Sequence, residues 1–88
     1  MHDTAIHNKL DEAINRTKHE LLNAHAYSEL NEAIIKLSKS PDDPIYEFSR
    51  EYGEQRVREL EDRLAFYIGM HNKYFPQAND PAIQAAQN

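Results

Sequence analysis

From Met1 to Ser40 the chain contains neither Pro nor Gly, and the next four residues hold two prolines. That pattern constrains the fold more than any other feature. A run this long without a helix breaker, closed by Ser40-Pro41-Asp42-Asp43-Pro44, predicts one extended helix followed by a sharp stop. Asp3 or Thr4 can accept from its free N–H groups. Glu12 with Arg16 and Glu32 with Lys36 form i,i+4 pairs in the favourable order, each worth about 0.2–0.5 kcal/mol. Lys36 and Lys39 suit the negative end of the helix dipole. The predicted first helix spans about Thr4 to Ser38.

Asp43 followed by Pro44 reads as an N-cap and a first helical position, where a missing N–H costs nothing. The second helix then runs to about Phe75, where Pro76 stops it. Glu54 with Arg58 and Glu59 with Arg63 support it from the surface. Gly53 marks either a kink or a break into a short leading helix and a longer one, or Gly69 instead admits a neighbouring helix; the sequence leaves these readings open. A short connection between two such helices joins antiparallel neighbours, so the fold class is all-α, a long helical hairpin. Residues 1–76 form the single helical domain. Residues 77–88 form a C-terminal tail in which Asn79-Asp80-Pro81 repeats the cap-then-proline signal for a short turn.

The apolar residues say what such a hairpin needs. Ile6, Leu10, Ala13, Ile14, Thr17, Leu21 and Ala24 share one side of the first helix. Tyr27, Leu30, Ile34 and Leu37 then occupy a different side, while Ile35 returns to the first. Either the helix breaks near Asn23–Ser28, or it continues and touches different partners; the absence of Gly and Pro favours continuity. The second helix has the broader surface: Val57, Leu60, Leu64, Tyr67, Ile68, His71, Tyr74 and Phe75 on one face, widened by Phe48, Tyr52, Phe66 and Met70. Two thin rods cannot hide that much apolar area from each other. These twelve residues are therefore the expected interface with a second copy or a partner, and the expected assembly is a homodimeric antiparallel bundle.

Composition narrows the chemistry. Fifteen Asp and Glu against ten Lys and Arg give a net charge of −5, and cysteine is absent. Disulfides, thiolate zinc sites and thiol nucleophiles are thereby excluded. The N-terminal segment has no apolar signal region and no run approaches a membrane span, so the expected compartment is the cytoplasm and no membrane partner is expected. The acidic balance disfavours direct nucleic-acid binding. Between Asp42 and Asp62 stand eight acids, interleaved with Arg50, Arg56 and Arg58. Of these, Asp42, Asp43, Glu47, Glu51 and Glu54 form an expected acidic contact patch for a basic protein partner.

No catalytic constellation is present. The serines lack nucleophile-elbow glycines, and a phosphate-cradling loop cannot be built from Gly53 and Gly69. His19 and His25 lie six apart, too far around the helix for a zinc-protease pair, and no Glu precedes a His by three. His7 with Asp11 offers two donors at i,i+4, which alone do not hold a metal. No cofactor and no metal are therefore assigned. His71 falls on the apolar face and reads as an interface histidine, with pH-sensitive contact as the sharper expectation.

The reading from sequence is a non-catalytic, acidic helical protein acting by protein–protein interaction: an inhibitor, regulator or adaptor, of the kind phages make against bacterial defences. Two alternatives stand beside it. One is a nucleotide-binding protein using Tyr46, Arg50, Arg56 and Arg63, with Tyr52, Tyr67 and Tyr74, across a dimer interface. The other is a structural assembly subunit.

Overall fold

The computed structural model describes residues 2–76, with side chains from Thr4 onward. Two helices, α1 (His2–Leu37) and α2 (Pro44–Tyr74), make up nearly all of it, and the described residues contain no strand. The helices pack against each other. Contacts at Ser38–Tyr46 near the turn and His7–His71 at the far end make them antiparallel. The predicted C-terminal turn lies outside the described residues.

The boundaries follow from local chemistry. Asp43 has extended backbone, and its Oδ1 accepts from the Ile45 N–H at 3.0 Å, with Pro44 entering the helix behind it. Glu47 places negative charge in the first turn. At the other end the Phe75 N–H donates to the His71 carbonyl at 2.8 Å, and Pro76 cannot extend the ladder. The connection is held by three further bonds. The Asp43 N–H donates to the Ser40 carbonyl at 3.1 Å and the Ser40 N–H to Ser38 Oγ at 3.1 Å. Ser38 Oγ also meets the Tyr46 hydroxyl at 2.9 Å, tying the end of α1 to the start of α2.

α1 runs through Asn23–Ser28 without a break. The displaced apolar stripe is thus a second face of one continuous helix. The face turned to α2 has a strict 3-4 spacing: His7, Leu10, Ile14, Thr17, Leu21, Ala24, Ser28, Asn31, Ile35 and Ser38 are all buried or half-buried. On α2 the matching set is Tyr46, Arg50, Gly53, Val57, Leu60, Leu64, Tyr67 and His71. This is the heptad spacing of a coiled-coil seam. Leu60 is 0 % and Ile35 1 % exposed, with Leu10 and Thr17 also buried. The Thr17 hydroxyl, which would otherwise be an unpaired polar group in the seam, donates to the Ala13 carbonyl at 2.7 Å.

Neither glycine kinks α2, and the close approach falls at Gly53 rather than at Gly69. α2 passes through Gly53 as continuous helix, and a Cβ built there would lie 2.9 Å from Ser28 Oγ. Gly53 therefore lets the helices approach closely. Gly69, expected to admit a neighbour, faces open space. The molecule that results is 57 Å long and 14 Å through its thinnest direction. Its radius of gyration is 18.8 Å, against about 12 Å for a compact domain of this length.

These positions make opposite demands on alanine. Gly69→Ala should stabilise the chain by about 0.5–1 kcal/mol through helix propensity alone. Gly53→Ala should gain less, because Ser28 must move, and adding Ser28→Ala should recover the difference. Urea unfolding of the three variants measures this; equal gains at Gly53 and Gly69 would contradict the close approach.

Candidate functional site

The seam determines what the rest of the hairpin presents. In an antiparallel pair, residues one position before the seam on each helix fall on the same side of the molecule. On α1 these include Tyr27, Leu30, Ile34 and Leu37, and on α2 Ile45 and Tyr52; Phe48 belongs to the same stripe. All seven are exposed, Leu37 at 87 % and Phe48 at 71 %. Beside them, the turn-proximal seam is filled by Ser28, Asn31, Ser38, Arg50 and Gly53, with Ile35 its one fully buried apolar side chain. In this half of the hairpin small and polar residues take most of the inward positions, Ile35 and Tyr46 excepted, and most of the large apolar ones face out. Ile6 and Phe66 extend the same side toward the free ends.

The residues expected at an interface divide accordingly. Leu60 is given wholly to the hairpin seam, and Val57, Leu64, Tyr67, His71 and Phe75 are half-buried along it, with Met70 half-buried beside them. Phe48, Tyr52 and Phe66 stand on the open apolar side. Ile68 is on the opposite side, and Tyr74 is exposed at the end of α2 with the Lys73 ammonium 5.4 Å from its ring centre.

The acidic residues occupy the other side. Glu47, Glu51 and Glu54 lie one position after the seam, which points them away from the apolar ladder, and all three are exposed. Asp42 and Asp43 are exposed in the turn. Glu32 lies on this side as well, but its charge is committed: Arg50 Nε donates to Glu32 Oε1 at 2.7 Å and Arg50 Nη2 to Oε2 at 3.4 Å. That hydrogen-bonded pair holds the Glu32 carboxyl below its ordinary range and raises Arg50 above its own.

Arg56 and Arg63 both reach Glu20 of α1, at 3.5 and 3.6 Å. Beside them Glu20, Asn23, Ala24, Tyr27, Tyr52, Gly53 and Arg56 line an open cleft of about 450 Å³. Tyr27 and Tyr52 would supply stacking faces for a planar ligand. The Glu20 carboxylate opposes an anion there, and Arg56 already has its countercharge. Of the other residues of the expected ligand cluster, Arg63 reaches the cleft through Glu20, while Tyr46 bonds Ser38 and Arg50 is held by Glu32.

At the free end the fold assembles a group that lies far apart in sequence. His7 Nε2 and His71 Nε2 are 3.2 Å apart, His71 Nε2 is 3.7 Å from Asp11 Oδ1, and His7 Nδ1 is 3.3 Å from Asp11 Oδ2. Phe75 packs edge-on against His7, ring centres 4.9 Å apart. Among the described residues these three side chains are the grouping whose donor atoms could hold a metal ion. His7 and Asp11 are visible as an i,i+4 pair. The third donor was missed, although folding the chain back about Ser40–Asp43 lays residue 71 opposite residue 11.

Comparison with protein-family models, curated proteins and solved structures yields no match. No helix among the described residues is long and apolar enough to cross a membrane.

The Glu32–Arg50 pair has a testable pH signature. Because the folded carboxyl titrates below its ordinary value of 4.5, its contribution is complete above that value and fades as pH falls through the depressed folded one. Thermal melts between about pH 6 and 3 should show a steeper loss for the wild type than for Glu32→Gln. Parallel curves would mean that the pair adds nothing to folding.

Proposed function

We propose that the protein is a non-catalytic interaction module, two copies of which join through their apolar sides into a four-helix bundle. The observation that carries this reading is the inversion near the turn. Tyr27, Leu30, Ile34, Leu37, Ile45, Phe48 and Tyr52 are exposed together while serine, asparagine, arginine and glycine fill most of the adjoining seam. An apolar ladder on both helices of one side is the shape that buries against another helical pair.

A second copy is the favoured occupant because the chain has surface to spare. Its accessible area is 7220 Å², whereas a folded monomer of this mass has about 5,400 Å². The difference is about twice the ~800 Å² that each partner contributes to a standard protein interface. The polar belt of Glu20, Arg56 and Arg63 interrupts the apolar side and would select the orientation in which the two hairpins meet.

The acidic side then faces a partner, although Arg50 Nη1 stands 3.8 Å from Glu47 Oε2 and partly offsets its charge. Glu47, Glu51 and Glu54, with Asp42 and Asp43 at the turn, would meet a basic protein surface, as an inhibitor or adaptor does. Rim charges of this kind steer association and lose influence as salt rises.

Sedimentation at micromolar concentration tests the assembly. The wild type should behave as about twice its 10.3 kDa mass, and Ile34→Glu should weaken self-association at least ~100-fold while retaining helical circular dichroism. A folded wild type that stays at the monomer mass would overturn the proposal.

A further inference from the structure

We propose that His7, Asp11 and His71 form a three-ligand site for a divalent transition-metal ion of the zinc type, which clamps the free end of the hairpin. The distances carry the argument. Ligands 2.0–2.1 Å from a tetrahedral zinc stand roughly 3.4 Å from one another. The two Nε2 atoms are 3.2 Å apart and His71 Nε2 is 3.7 Å from Asp11 Oδ1, so two edges of such a tetrahedron are already set. The three donor atoms all lie within 4.8 Å of one another.

The surroundings orient the donors. His7 and Asp11 sit one helical turn apart on α1, the spacing that puts two ligands on one face. The second oxygen of Asp11 is 3.3 Å from His7 Nδ1. With a metal on Nε2 the proton of the neutral His7 ring sits on Nδ1, and it is Nε2 that faces His71. Phe75 buttresses the His7 ring from its other side. Without a metal, one Nε2–H of the histidine pair bridges the two rings; a cation takes that position when both are in the Nδ1–H form.

The donor set selects the ion. Two imidazoles and one carboxylate suit zinc and its neighbours, whereas calcium and magnesium require a fuller set of oxygens. Three protein ligands leave one position for water. Since α1 supplies two donors and α2 the third, an unfolded chain has no such site, and binding therefore stabilises the hairpin.

The test is calorimetry and thermal melting of the full chain with zinc chloride in a non-chelating buffer. One ion should bind per chain and saturation should raise the melting temperature by at least about 5 °C, with magnesium chloride giving no shift. His7→Gln and His71→Gln should each lower zinc affinity at least ~100-fold, while His19→Gln with His25→Gln leaves it unchanged. Cobalt substitution of the wild type should give the intense visible bands of four-coordinate geometry, a readout that does not depend on any variant folding. No rise in melting temperature, zinc affinity unchanged in the His7→Gln and His71→Gln variants, or six-coordinate cobalt spectra would each overturn the site.

Discussion

Two long helices meet along a single seam with 3-4 spacing, and the side chains in that seam decide what every other face presents. In the half distant from the turn the seam is built from Leu10, Ile14, Leu21, Leu60 and Leu64, and Leu60 disappears entirely from solvent. In the half near the turn it narrows to Ser28 against Gly53, where no Cβ would fit without displacing the serine oxygen. Small residues allow the approach, but they bury little apolar area. The greasy residues of that half are left on the flank.

The charged residues reinforce this division. Arg50 reaches across to Glu32 on one side of the seam, and Arg56 and Arg63 reach across to Glu20 on the other. Each is a partly exposed pair, modest as a source of stability. Their effect is mainly on placement: three of the arginines that could have served an anionic ligand are instead spent joining α1 to α2. What remains is mainly exposed carboxylate on one side and exposed hydrocarbon on the other.

Much of the fold was legible because its punctuation is chemical. Asp43-Pro44 begins α2 and Pro76 ends it for reasons contained in those residues. The continuity of α1 was legible from the absence of breakers. The roles of Gly53 and Gly69 were not, because a glycine inside a helix does not say which neighbour it faces; that needs the pairing of Gly53 with Ser28. The spacing groups the apolar residues of the second helix, but their division between the seam, the open side and, for Ile68, the opposite side required the partner helix. His7 and Asp11 were visible as neighbours and His71 as a histidine on a greasy face. Their meeting belongs to the hairpin, not to either helix.

The displaced ladder has one more consequence. Tyr27, Leu30, Ile34 and Leu37 precede seam positions by a single residue, as Ile45 and Tyr52 do on the opposing helix. Turning each helix about its own axis by about 100° would bring those side chains into the middle and expel the serines. The Arg50–Glu32 fork, the Ser38–Tyr46 bond and the Gly53 notch all belong to the register described. They accompany the rotation that leaves the apolar side chains on the flank.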